Sequence, residues 1–223
     1  MPVDLELLVD VHRARLGPKE YRVIRARPEP LAQAVLIQES WYFEIFADAP
    51  AAEALAAAWM LAAESRHSLV WLPMRPGAPV PDGEPAGRPL DLLLAHHSQQ
   101  FPASRWKALR AHLGPGRPQR VEVPRSTVRL PDHDAYARRH HREYRDHLTE
   151  HVAADTLLLT GSDRAFREAA PLFLDVAENG PTYTPRRSGD HYCAELRPQD
   201  GTVKGAAALH IAYPPSHGEG GAA

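Results

Sequence analysis

The chain of 223 residues suits one domain and is long enough to bury a core without disulfide or metal staples. Its 43% hydrophobic and 24% charged content, at a formal net charge of −2, is that of an ordinary globular protein, with no electrostatic reason to bind nucleic acid or an anionic membrane. One cysteine, Cys193, excludes an intrachain disulfide and a zinc knuckle built on several thiolates.

In chain order, residues 4–16 read as an amphipathic helix through Leu5, Leu8 and Leu16. The first residues, MPVDLELLVD, carry acids and lack the basic flank and apolar run of a secretory signal. No stretch approaches the ~20 apolar residues that span a bilayer, so a cytoplasmic protein is expected. YRVIRA (21–26) reads as a strand, PLAQAVLIQE as a helix and WYFEIFA (41–47) as a strand, its aromatic cluster belonging to the core. Asp48 is placed to cap an alanine-rich helix over 49–66, with Pro50 in its first turn. SLVWLPM follows as a strand. Residues 75–89, rich in proline and glycine, read as an exposed loop before the strand LDLLLA (90–95).

PASRWKALRAHL (102–113) is expected to be a helix ending at Gly114, and RVEV (120–123) a short strand. A histidine-rich helix is expected over 132–153. DTLLLTGS (155–162) is continuously apolar, as strands buried on both faces are. The turn after it offers Asp163 as N-cap of a helix over 163–178. HYCAEL and TVKGAAALHIAY flank the turn PQDG and should pair as a terminal hairpin, with a frayed tail over 214–223. The alternation predicts an α/β layered domain over 1–213, its mixed, largely parallel sheet closed by a C-terminal antiparallel hairpin. Counted from LDLLLA to ALHIAY, the order βαβαβαββ resembles one half of a thiolase-type fold, in which a terminal hairpin closes each half. That likeness bears on fold alone.

Three places carry candidate chemistry. At ~100° per residue, His140, His147 and His151 share a stripe of the predicted helix 132–153, between a core face through Tyr144 and Leu148 and a row of carboxylates. The segment His147–His151 spells H-x-x-E-H and resembles the inverted zinc-peptidase motif, which implies His147 and His151 as zinc ligands and Glu150 as the base for water. The alternative is a solvated helix whose imidazoles meet neighbouring carboxylates and hold no metal.

The second place is the doublet His96-His97 with Ser98, directly after a strand, where α/β sheets bind ligands. His97 there is a candidate general base, with Ser98 as its polar partner and Gln99 as a substrate contact. This unit resembles the H-H-x-x-x-D motif of condensation domains and chloramphenicol-acetyltransferase-like enzymes, in which the second histidine deprotonates the acceptor. Phe101 stands where that motif has aspartate.

The third is TYTPRRSGDHYC, where Arg186 and Arg187 could clamp an anionic handle such as a carboxylate or phosphopantetheine. Cys193 follows in a strand, where a buried thiol would be inert. Together these point to a cofactor-independent enzyme of acyl or carbonyl chemistry on a small or carrier-bound substrate. The alternatives are a silent partner subunit of another enzyme and a hydrolase using the H-x-x-E-H metal set.

Overall fold

The computed structural model describes residues 3–75, 77, 80, 87–185, 190–205 and 207–214. Its elements run β1 (Leu5–Leu16), β2 (Lys19–Ala26), β3 (Ala34–Gln38), β4 (Tyr42–Ala47), α1 (Ala49–Glu64), β5 (Ser68–Leu72) and β6 (Arg88–His96). Then come α2 (Trp106–Ala111), β7 (Arg117–Val123), α3 (His133–Arg138), β8 (Thr149–Ala153), β9 (Thr156–Gly161), α4 (Asp163–Asn179), β10 (Cys193–Leu196) and β11 (Ala208–Ala212). Helices and a mixed sheet are both present, as expected. No helix among the described residues is long and apolar enough to cross a membrane.

The sheet has two wings joined by β6. One wing runs β8-β9-β6-β5-β2-β1-β7 and the other β10-β11-β4-β3. The first residues of β6 pair with β3 (Leu90 opposite Leu36), whereas the later ones pair with β5 (Ala95 opposite Leu69). Only three of the ten strand pairings among the described residues are parallel: β2 with β5, β6 with β9 and β4 with β11. The expected largely parallel sheet is therefore corrected to a mostly antiparallel one.

Both faces of the first wing are covered, which is why LDLLLA and TLLL read as unbroken apolar runs. Leu92, Leu94, Leu157 and Leu159 face the cluster shared with α1 and α4, while Leu93 and Leu158 face one built on Trp71, Phe101 and Trp106. Helix α1 forms where expected, with Asp48 accepting from the Ala51 N–H at 2.9 Å. It buries nearly its whole alanine surface and sets Trp59 against Phe166 and Phe173 of α4. Small side chains all round let this helix sit close to both sheet and neighbour. Helix α4 is capped by Ser162, not Asp163; Ser162 accepts from the Ala165 N–H, and Asp163 pairs with Arg66.

Three predicted helices are strands or fragments. Residues 5–16 form β1, whose Leu5, Leu7 and Val9 alternate into the core; the period is two, not the 3.6 suggested by Leu5, Leu8 and Leu16. Ala34–Gln38 is likewise β3, consistent with its β-branched Val35 and Ile37. The histidine helix ends at Arg138. Beyond it Arg138, Arg142 and Arg145 would repel along a helix at spacings of three and four. Tertiary contacts take over instead: buried Arg139 donates twice to Glu168 of α4, at 3.0 and 2.8 Å. Leu148 then exchanges backbone hydrogen bonds with the 202–204 segment, and β8 turns onto β9.

That turn is a two-residue loop, Ala154 (φ 50°) and Asp155 (φ 57°), both left-handed as a type I′ hairpin requires. Neither alanine nor the pair Ala-Asp advertises such a turn. With β8 in place of a helix and β7 paired to β1, the second half does not have the order βαβαβαββ. The thiolase-type resemblance is not supported. The terminal hairpin does form, Cys193–Leu196 against Leu209–Ala212.

Candidate functional site

The H-x-x-E-H residues are not brought together on a helix. His147 lies in the loop before β8, its Nδ1 2.8 Å from the Gly201 carbonyl oxygen and its Nε2 3.1 Å from that of Tyr144. Glu150 and His151 are consecutive in a strand and so point to opposite faces. His140 lies beyond the end of α3. The expected imidazole stripe and its metal set are corrected accordingly.

At the end of β6 the pairing differs from the expectation in one respect. Ser98 partners the buried His96, Oγ to Nδ1 at 2.7 Å, rather than the exposed His97. The Ser98 N–H also donates to that nitrogen at 3.2 Å, so His96 caps the short 3-10 turn 97–99. Burial, then neighbouring His97 and Arg66, push the His96 pKa below its ordinary value. Gln99 donates its amide to the Arg66 carbonyl. Arg186 and Arg187 lie outside the described residues.

A different constellation forms on the second wing. Strand β11 lies between β4 and β10, parallel to one and antiparallel to the other, and its register sets His210 opposite both Glu44 and Glu195. The three side chains make a row across one face of the sheet. The opposite face carries Phe43, Ile45, Leu209, Ile211 and Leu196 into the core beneath α4. Cys193 is two residues before Glu195, hence on the polar face, diagonal to His210. His191, two residues earlier still, brings its ring to 5.1 Å from that of His210.

The polar contacts form a relay. His210 Nδ1 is 2.7 Å from Glu44 Oε1, leaving Nε2 for Cys193; Glu195 Oε1 stands 3.8 Å from Nε2 and is itself paired with Arg197. Glu44 is only 2% exposed, and its Oε2 has no hydrogen-bond partner among the described residues. A buried carboxylate with so little compensation is costly unless its partner carries the opposite charge. Burial presses His210 toward neutrality, but hydrogen bonds to Cys193 and Glu44 outweigh it and hold the imidazole up at about 9. Hydrogen bonds from His191 and His210 bring the Cys193 thiol down to about 6 against partial burial. The contact between them thus favours the charge on Cys193 and the proton on His210, the balance of a thiolate–imidazolium pair. Cys193 is exposed, contrary to the buried, inert thiol expected for its strand.

Its surroundings are those of a binding surface. Val35, Ile37, Phe46 and Ala212 form an apolar cluster beside the row, with Val80 packed on it. On the other side His191 lines a cleft with Pro181, Tyr183, Tyr192, Tyr213 and Asp190. Trp41, expected in the core, is 80% exposed just before β4. The sulfur of Cys193 and one nitrogen each of His191 and His210 lie within 4.8 Å of one another; among the described residues these are the ligand atoms close enough to share an ion.

The alternation Cys193-x-Glu195 is a sequence signal for two functional groups on one strand face, with His191 in step just before the strand. Glu44, 166 positions from His210, had none. No protein-family model, curated protein or solved structure matches the chain.

Proposed function

We propose that the protein is an enzyme of acyl chemistry in which Cys193 is the nucleophile, His210 the acid and base, and Glu44 the group that orients the imidazole. The observation that carries this reading is an exposed thiol whose sulfur lies within 4.8 Å of an imidazole nitrogen, on a ring that meets a buried carboxylate at 2.7 Å. A nucleophile, a base within reach and a third group fixing that base is the arrangement that makes a weak side-chain nucleophile reactive.

The chemistry follows from the charges. The Cys193 sulfur attacks an acyl carbonyl and forms a C–S bond; the carbonyl π electrons move to oxygen and return as the bond to the leaving group breaks. His210, protonated at rest, gives its Nε2 proton to that leaving group. The neutral imidazole then takes a proton from water or an acceptor, which attacks the thioester and frees the thiolate. Glu44 keeps Nδ1–H engaged throughout, so Nε2 alone exchanges protons. The apolar cluster and the tyrosine-lined cleft suit a substrate with an uncharged acyl part.

The test uses activated esters and thioesters as generic acyl donors. p-Nitrophenyl acetate should give a burst of nitrophenol and an acetyl adduct on Cys193, seen by intact and peptide mass spectrometry. An adduct elsewhere, or turnover kept by Cys193→Ala, would refute the assignment.

A further inference from the structure

The three atoms around Cys193 make up a donor set as well as a relay. We propose that Cys193, His191 and His210 form a site for a borderline-soft divalent cation, zinc by its chemistry, whose occupancy switches the nucleophile off. This inference rests on the nucleophile reading above.

One thiolate and two imidazoles are ligands that zinc prefers and that calcium and magnesium do not. With Zn–N near 2.0–2.1 Å and Zn–S near 2.3 Å, a tetrahedral ion would hold its ligand atoms roughly 3.3–3.7 Å apart. The atoms here lie within 4.8 Å of one another, so an inward movement of about 1 Å closes the set. Cys193 and His210 are fixed by the β10–β11 ladder. His191 precedes β10 and lies outside that ladder, so the inward movement falls to this ligand.

An independent feature of the site also suits a metal. Buried Glu44 meets Nδ1 of His210 at 2.7 Å, which keeps Nδ1–H on the carboxylate side, makes Nε2 the nitrogen that a metal would take in exchange for its proton, and raises its basicity. Carboxylate behind histidine is the support that zinc-binding imidazoles commonly have. Exposure of Cys193 leaves the fourth position to water, so the site is open and the ion can exchange. A bound zinc would engage the sulfur lone pair that attacks and the nitrogen that moves the proton. Both working groups would be occupied at once.

The experiment uses the full chain, freed of metal with a chelator and titrated with zinc alone. Binding is read by competition with a coloured chelator, and thiol availability by the rate of iodoacetamide alkylation at Cys193. We expect one equivalent bound, alkylation slowed at least ~10-fold and full recovery on adding chelator. Cobalt in place of zinc should show thiolate-to-metal charge-transfer absorption, which a purely structural effect of the ion would not produce. In His191→Ala, zinc affinity should fall ~10²-fold, and the ratio of alkylation rates without and with zinc should approach one. If metal-free Cys193 reacts fast but one equivalent of zinc neither binds nor slows it, the metal inference is overturned and the nucleophile stands. If metal-free Cys193 reacts no faster than in the denatured chain, the nucleophile reading fails instead.

Discussion

Two histidine sites, on the two wings of one sheet, have opposite surroundings. At the end of β6, His96 is buried, is pressed below its ordinary pKa by burial and then by neighbouring His97 and Arg66, and spends Nδ1 on capping the next turn. In β11, His210 meets a buried carboxylate on one nitrogen and a thiol on the other, and is held above its ordinary pKa at about 9. The first imidazole is organised to keep a backbone turn in place. The second is organised to carry a charge beside a nucleophile. Position at a strand terminus, which favoured the doublet in the sequence, says less about chemistry than the partners each ring acquires across strands.

Mutations at the two sites should separate them sharply. Cys193→Ala should remove ester turnover and covalent labelling altogether, a loss of at least ~10³-fold by analogy with deleting a triad nucleophile. His210→Ala should cost ~10²–10⁴, the scale of a positioned acid–base group. Glu44→Gln keeps the shape but not the charge that supports an imidazolium; turnover should drop ~10²-fold or more, with the fold retained by circular dichroism. At the other site His96→Ala should lower stability by roughly 1–3 kcal/mol in urea titration, through lost packing and an unpaired turn, and leave labelling of Cys193 unchanged. His97→Ala should stay within ~0.5 kcal/mol and within twofold in turnover, as exposed substitutions do. A large loss at His97 would return the active centre to the doublet.

The outcome depends on which contacts were local. Helix α1 was readable because Asp48, Pro50 and the alanine run all lie within it, and the β10–β11 hairpin because PQDG lies between its strands. Strand β1 was misread because Leu5, Leu8 and Leu16 fit a helical spacing, while the truer alternation of Leu5, Leu7 and Val9 is confirmed only by β2 and β7 alongside. The histidine helix failed for the same reason: Arg139 prefers Glu168, a residue on another element, to another helical turn. The Ala154–Asp155 hairpin carries no glycine or asparagine to announce it. At the candidate site, Cys193 and Glu195 could be placed on one face from sequence. Their meeting with Glu44 depends on β11 returning parallel to β4, a register that no local pattern encodes.

Stability is a poor reporter of this site, and the signs show why. The thiol, lowered from 9.0 to about 6, contributes stability that is full above 9 and lost as pH falls through 6. The imidazole, raised from 6.5 to about 9, contributes stability that is full below 6.5 and lost as pH rises through 9. Between those limits the folded pair holds its proton on nitrogen and the unfolded pair holds one on sulfur. The two slopes nearly cancel, so unfolding free energy at pH 6.5–9 should change little on account of this pair. A steep slope there in wild type that disappears in Cys193→Ser would contradict that cancellation.

Reactivity does report the pair, because only the thiolate attacks. The groups facing Cys193 and His210 are His191 before β10, Glu195 on β10 with Arg197 paired to it, and Tyr42 and Glu44 on β4. The most direct measurement is the rate of iodoacetamide alkylation of metal-free protein from pH 5 to 10, with the denatured chain as reference. The account predicts a rate that rises to half its plateau near pH 6 in the folded protein and near 8.5–9 in the denatured one. It further predicts that Glu44→Gln moves the folded midpoint upward and His97→Ala does not. A folded midpoint equal to that of the denatured chain would contradict the claim that Cys193 is an activated nucleophile.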